Sequence, residues 1–280
     1  MQQQVIELSV LSRRALLLGG AALGAFASTP SHAVVMSSGS LRTLVEMMEG
    51  VEGFNGHFEQ FKKARVDLQM TLLADNGNSV PLSVEVNSAM SEEEHITDIY
   101  LLSQRNPVLV MARFHLGVAS GKAMVNTRVR LAGSQKILAV ARTNQGEWFF
   151  DEAQVVVTES ACVDASRIER LHMAMNARLT WSTGARAGDV VKVRLLVQHP
   201  METGYLQDLS GHTIKRNVIQ WIRVQYDQRE VFKVDTSSGI AANPFFEFYL
   251  RASVTGLVQV SWIDDAGVVG EYSRLLALQA

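Results

Sequence analysis

Val66-Asp67-Leu68-Gln69-Met70-Thr71-Leu72 alternates apolar and polar residues without a break, and the same period returns at Val80-Pro81-Leu82-Ser83-Val84-Glu85-Val86. A period of two places every apolar side chain on one face of an extended strand, and a slip of one residue would turn the whole set to solvent. Asp75-Asn76-Gly77-Asn78 lies between the two runs and carries the residue types of a tight turn. Further strands are expected over 96–102, 108–116, 123–131, 136–142 and 147–158. Ala119-Ser120-Gly121-Lys122 and Asn144-Gln145-Gly146 punctuate them. Short strands at near-regular spacing, with no helical stretch between them, predict an antiparallel β-sandwich of immunoglobulin-like type.

The second half repeats this architecture without repeating the sequence. Strands are expected over 177–182, 190–197, 218–226, 231–234, 245–251, 258–263 and 268–273. Gly184-Ala185-Arg186-Ala187-Gly188-Asp189 and Asp264-Asp265-Ala266-Gly267 serve as turns. The fold class is therefore all-β, two immunoglobulin-like antiparallel sandwiches, over 66–158 and 176–280. Residues 159–175 form the linker between them.

Ahead of the strands the period is different. Leu41, Leu44, Val45, Met48, Phe54, Phe58 and Phe61 recur at three- and four-residue spacing, which predicts a helical cap over 34–65, broken by Gly50, Gly53 and Gly56. The first 33 residues read as an export signal. Ser12-Arg13-Arg14 directly precedes an apolar run that reaches about Phe26, the layout of a twin-arginine leader. Ser31-His32-Ala33 offers a small-x-Ala cleavage site, with Ala25-Phe26-Ala27 as an alternative. The run is shorter than the ~20 residues a membrane-spanning helix needs. A periplasmic, soluble mature chain is expected.

A hydrophobic content of 47% with 19% charged residues suits domains with real cores. A formal net charge of −2 without a basic stripe gives no footprint for nucleic acid.

Cys162, the single cysteine of the chain, falls in the linker stretch Thr158-Glu159-Ser160-Ala161-Cys162-Val163-Asp164-Ala165-Ser166-Arg167. A lone cysteine is often a small buried hydrophobe. Two features weigh the other way. The surrounding residues are small and polar, which predicts accessibility. An oxidising compartment also makes an unpaired exposed thiol a hazard unless it is used. Cys162 is accordingly the candidate functional residue, as a nucleophile or attachment point. Glu159 and Asp164 raise a neighbouring thiol's pKa, whereas Arg167 and Arg170 lower it, and the sequence does not decide between them.

Other chemistries find little support. The seven histidines (His32, His57, His95, His115, His172, His199 and His212) form no H-x-x-x-H pair, and each reads as a surface or loop residue. There is no G-x-S-x-G, G-x-G-x-x-G or P-loop, so neither a hydrolase nor a cofactor is expected. His199-Pro200-Met201-Glu202-Thr203-Gly204 reads as a strand exit, and Asn243-Pro244-Phe245 as a strand entry.

Two sets of segments carry a resemblance. Asp75-Asn76-Gly77-Asn78-Ser79-Val80-Pro81, Phe114-His115 and Ala119-Ser120-Gly121 resemble SoxY, the thiol-bearing subunit of the bacterial thiosulfate-oxidation carrier. His199–Gly204, Asn243-Pro244-Phe245 and Val260-Ser261-Trp262-Ile263-Asp264-Asp265 resemble its partner subunit SoxZ. The chain is thus similar to fused SoxYZ-like carriers, a group associated with quinoprotein dehydrogenases. The resemblance implies two sandwiches packed as an internal heterodimer, with Cys162 as the covalent attachment site for a sulfur intermediate. It departs from the family at Ser160-Ala161-Cys162-Val163-Asp164, where family members place glycines around the cysteine. Side chains there, and a tether fixed at both ends, restrict the reach of the thiol.

Two functions follow as expectations. One is a non-enzymatic periplasmic carrier holding a small sulfur species on Cys162. The other is an interaction module that binds a quinoprotein dehydrogenase or its c-type cytochrome, with the cysteine incidental. No cofactor is expected, and a fused pair points to a monomer.

Overall fold

The computed structural model describes residues 46–49, 51, 54–57, 60–158, 176–208 and 210–279. Their regular structure is almost all strand. The first half holds β1 (Phe61–Lys62), β2 (Val66–Met70), β3 (Leu73–Ala74), β4 (Val80–Val86), β5 (Ile96–Ser103), β6 (Val110–His115), β7 (Met124–Val129), β8 (Gln135–Thr143) and β9 (Trp148–Val157). The second half holds β10 (Ala177–Trp181), β11 (Val190–Val197), β12 (Ile219–Tyr226), β13 (Arg229–Thr236), β14 (Phe245–Arg251), β15 (Gly256–Asp264) and β16 (Val269–Leu276). β4, β11 and β14 begin and end where the alternation places them. Most others shift by one or two residues at an end.

The strands form two layers. The larger runs β1-β9-β8-β5-β6-β13-β12-β15-β16, with β3 also pairing β9, and the smaller runs β10-β11-β14-β7-β4-β2. β2 packs against β8 and β9 at one end, and β10 packs against β16 at the other. Each half therefore has strands in both layers, as a sandwich requires. The local periodicity does not reveal that the layers continue across the join. β6 pairs antiparallel with β13 from Lys233↔His115 to Thr236↔Ala112, and β7 pairs with β14 through Phe246↔Thr127 and Glu247↔Asn126.

The core runs through the same join. Phe114 of β6 lies 5.9 Å from Phe232 of β13 and 6.1 Å from Phe246 of β14, centroid to centroid. Phe232 stacks on Phe248 at 4.2 Å, and all four rings are fully buried. Burying one such ring contributes about 1.5–3 kcal/mol, so the join is a core and not a contact between finished surfaces.

The helical cap expected over 34–65 is corrected where the structure describes it. Residues 46 and 47 are helical, but Phe61 and Lys62 form β1, which pairs in parallel with Trp148 and Phe149 of β9. Gly56 adopts φ +84°, a turn conformation that breaks a helix. The aromatic spacing reflects packing on one indole: Phe54 and Phe61 lie 6.3 and 6.0 Å from the Trp148 ring. Met47 and Met48 are buried as well, so this segment does cover the first half. β1 and β3 are also parallel additions to sheets read as antiparallel. The twin-arginine leader lies outside the described residues.

Candidate functional site

Cys162 and the linker over 159–175 lie outside the described residues, and the structure fixes only their two attachments. Thr158 directly follows β9 and donates its N–H to the Ala74 carbonyl of β3 at 3.0 Å. Asn176 precedes β10 and accepts the Gln198 N–H at 2.8 Å. β9 belongs to the β2 end of the sandwich, and β10 is the last strand of the smaller layer at the opposite end.

The sequence motifs prove to be joints. Gly77 accepts the Leu131 N–H at 2.8 Å, and a Cβ on it would lie 2.5 Å from the Leu131 carbonyl oxygen. Only glycine permits that approach. Ser120, fully buried, donates its hydroxyl to the Val231 carbonyl of β13 at 2.7 Å, while Gly121 turns the chain at φ +71°. Arg130, also of the first half, donates from Nη1 to the Met201 carbonyl at 2.6 Å and from Nη2 to that of Pro200 at 3.3 Å.

The second-half motifs meet one another. The His199 N–H donates to Asn243 Oδ1 at 3.2 Å, and the Asn243 N–H returns a bond to the His199 carbonyl at 2.8 Å. His199 Nδ1 accepts the Met201 N–H at 3.0 Å, so the ring proton resides on Nε2, which faces Asp264 Oδ2 at 3.4 Å. Burial pushes the His199 pKa below its ordinary value and outweighs the pull of Asp264. This ring is a neutral core residue at 2% exposure, not the surface histidine its loop position suggests.

A polar cluster spans the join on the outer side of the larger layer. His115 Nε2 lies 2.5 Å from Asp235 Oδ2 of β13, and its Nδ1 lies 3.4 Å from Asp98 Oδ1 of β5. Arg113 donates from Nε to Asp98 at 2.8 Å, and Lys233 pairs with Asp235 at 2.9 Å. Burial disfavours the Asp98 carboxylate, yet hydrogen bonds from His115 and Arg113 prevail and lower its pKa to about 2. Burial likewise opposes the His115 cation, but the two carboxylates overcome it and raise its pKa. Asp98, Arg113 and His115 open onto a shallow groove of about 400 Å³ shared with Arg142 and Asn144. Asp98 pairs there with Arg113 and His115, and Asp235 with His115 and Lys233, so the cluster acts as a clasp.

The comparisons assign these halves. Residues 53–162 match the family model of sulfur oxidation protein SoxY, and residues 180–274 match that of sulphur oxidation protein SoxZ. The chain is a fused SoxYZ-like protein. The two matches together cover well over half of it, in the order SoxY then SoxZ. It belongs to a family of sulfur-oxidation carrier and interaction proteins, not of enzymes. No curated protein matches it. Among solved structures, the sulfur carrier protein SoxY from Chlorobium limicola f thiosulfatophilum is 22% identical at a TM-score of 0.30, covering 35% of this chain and 84% of that one. A putative superoxide reductase from Thermotoga maritima is 20% identical at a TM-score of 0.30, over 35% of this chain and 89% of that one. The superoxide reductase (neelaredoxin) of Ignicoccus hospitalis is 12% identical at 0.31, over 34% and 81%.

Sequence reasoning missed the partly buried, paired role of His115 and the buried roles of Arg130 and His199 in the SoxYZ-like chain. Each partner lies far away in sequence: Asp235 is separated from His115 by 120 positions. The signal that was available is residue type, since His199 and Arg130 both sit beside β-strand ends rather than in charged runs.

Proposed function

We propose that this SoxYZ-like protein is a periplasmic carrier that holds a small sulfur species covalently on Cys162 and presents it to sulfur-processing enzymes. The observation that carries the reading is the end of the SoxY match, which falls on Cys162, the single cysteine of the chain. The family supplies the role, because a carrier needs one nucleophilic sulfur and a scaffold for docking.

Chain geometry adds to it. Cys162 follows Thr158 by four residues, so bond lengths alone keep its Cα within about 14 Å of the Thr158 Cα. Joining a thiolate to a sulfur anion makes an S–S bond and releases two electrons, so an electron-accepting partner enzyme completes the loading step. Reduction or hydrolysis by a second partner then frees the thiol. The twin-arginine leader supports a periplasmic location. Among the described residues no helix is long and apolar enough to cross a membrane.

Intact mass measured on protein from its native compartment, without and then with reductant, tests the proposal. Added mass that reductant removes, and that Cys162→Ser abolishes, is expected. An unmodified thiol that resists alkylation until the chain is unfolded sinks the carrier. Stoichiometric co-purification of a quinoprotein dehydrogenase or c-type cytochrome, indifferent to alkylation, would replace it with a docking module.

A further inference from the structure

The layers of a β-sandwich end in strands whose outer backbone groups are unpaired, and natural proteins blunt such edges with short strands, charges or proline. Among the described residues, most edges here follow that rule. β1 and β3 are two residues long, β2 carries Asp67, and β10 is five residues long with Arg178. β16 follows it least, with Glu271 as its one outward-facing charge. It is eight residues long, Val-Gly-Glu-Tyr-Ser-Arg-Leu-Leu, without lysine or proline. Val269 is 60% exposed and Leu275 55%. Its one cation is drawn away from the edge: Arg274 donates to the Leu179 carbonyl of β10 at 2.6 Å and lies over the Trp181 ring at 4.7 Å.

The hairpin geometry shows which backbone groups face outward. The Asp264 N–H donates to the Val268 carbonyl, and the Gly267 N–H to the Asp264 carbonyl, closing a turn in which Gly267 has φ +77°. Counting from that closed pair, Gly270, Tyr272 and Arg274 exchange hydrogen bonds with β15. The backbone groups of Val269, Glu271, Ser273 and Leu275 therefore point away from the sheet.

We propose that β16 pairs antiparallel with β16 of a second copy about a two-fold axis at Tyr272. This register is self-complementary on every outward rung. Val269 meets Leu275 at both ends, and Glu271 meets Ser273 twice, where the hydroxyl donates to the carboxylate. Opposed residues share a face, as antiparallel pairing demands, and all four rungs use the outward backbone groups. On the inner face Gly270 stands opposite Arg274, the one position that leaves room for it. Pairing in any register one residue away would set outward backbone groups against inward ones. A symmetric occupant is favoured because the strand complements itself, and a two-fold contact closes without propagating.

The test is sedimentation of the full mature chain carrying Cys162→Ser, which removes thiol cross-linking. A concentration-dependent dimer is expected, and Leu275→Lys should return it to monomer, still folded by circular dichroism, with a melting temperature that no longer depends on protein concentration. Register is read from two cysteine variants in the same background. Tyr272→Cys should form an oxidised dimer, because its Cα atoms meet across the axis. Ser273→Cys should not, because its copies stand farther apart than a disulfide spans, about 7 Å. A monomer at all concentrations up to millimolar overturns the proposal, as does a dimer indifferent to Leu275→Lys. Cross-linking through Ser273→Cys in preference to Tyr272→Cys overturns the register. A monomer whose β16 amides resist hydrogen exchange would hand the edge to another segment of the same chain and overturn it too.

Discussion

His115 and Asp235 join the SoxY-like and SoxZ-like halves side chain to side chain, 2.5 Å apart on adjacent strands. The contact depends on protonation. His115 has a raised pKa, so its stabilising contribution is complete below its ordinary value of 6.5 and is lost as pH rises through the higher folded-state value. His199 has a lowered pKa, so its contribution is complete above 6.5 and is lost as pH falls through the lower folded-state value. Asp98 adds stability above 3.8 that disappears toward pH 2.

The two histidines thus oppose each other. Thermal melting of wild type is expected to decline on the alkaline side of neutrality, and His115→Gln should flatten that limb. The substitution also weakens the Asp98 part of the acid limb, which His115 helps to set, while the His199 part should remain. The effect at low pH is about 1 kcal/mol, discounted because Asp235 is 40% exposed. A His115→Gln profile that parallels wild type on both limbs would show that the clasp contributes nothing.

Shared layers predict shared unfolding. Phe232→Ala removes a fully buried ring stacked at 4.2 Å on Phe248 and is expected to cost about 3–5 kcal/mol. Denaturant unfolding followed by far-ultraviolet circular dichroism and by tryptophan fluorescence should give one coincident transition, displaced as a whole. Trp148 reports the first half and Trp262 the second. Two separated transitions would mean that the halves fold independently.

Arg130→Met tests the polar side of the same join. The substitution keeps most of the volume but leaves the Met201 and Pro200 carbonyls without their donor. A loss of about 1–3 kcal/mol is expected in chemical denaturation, because a buried acceptor left unpaired retains its desolvation cost. Stability equal to wild type would show that water replaces the guanidinium.

Gly270→Ala is expected to destabilise through crowding alone. A Cβ on Gly270 would lie 2.1 Å from the Trp262 ring, which is 1% exposed. The indole must move, at a cost of about 1–3 kcal/mol. A red-shifted tryptophan emission with a lowered melting temperature checks this, and an unchanged spectrum would contradict it.

Much of this was legible in the sequence, for a physical reason that also marks where legibility stopped. Alternation records which side of a strand faces the core, so β4, β11 and β14 could be read to the residue. It carries no record of which strand lies alongside. β6 and β13 look the same whether their edges are free or paired, and their pairing came to light only in three dimensions. Phe54 and Phe61 misled because helical spacing and packing around a single indole can coincide. Cys162 stands out in the sequence because it is unique, but it lies outside the described residues, whereas His199 hid in a proline-containing loop that turns inward.

Because both halves lie on one chain whose layers cross the join, the numbers of the two halves are locked together. A carrier assembled from separate chains depends on balanced synthesis and on an association constant, and its halves can be exchanged with those of a sister pair. Here neither dilution nor competition can part them. Whatever surface partners recognise on one half is always delivered with the other, and the two must be inherited, and discarded, as one.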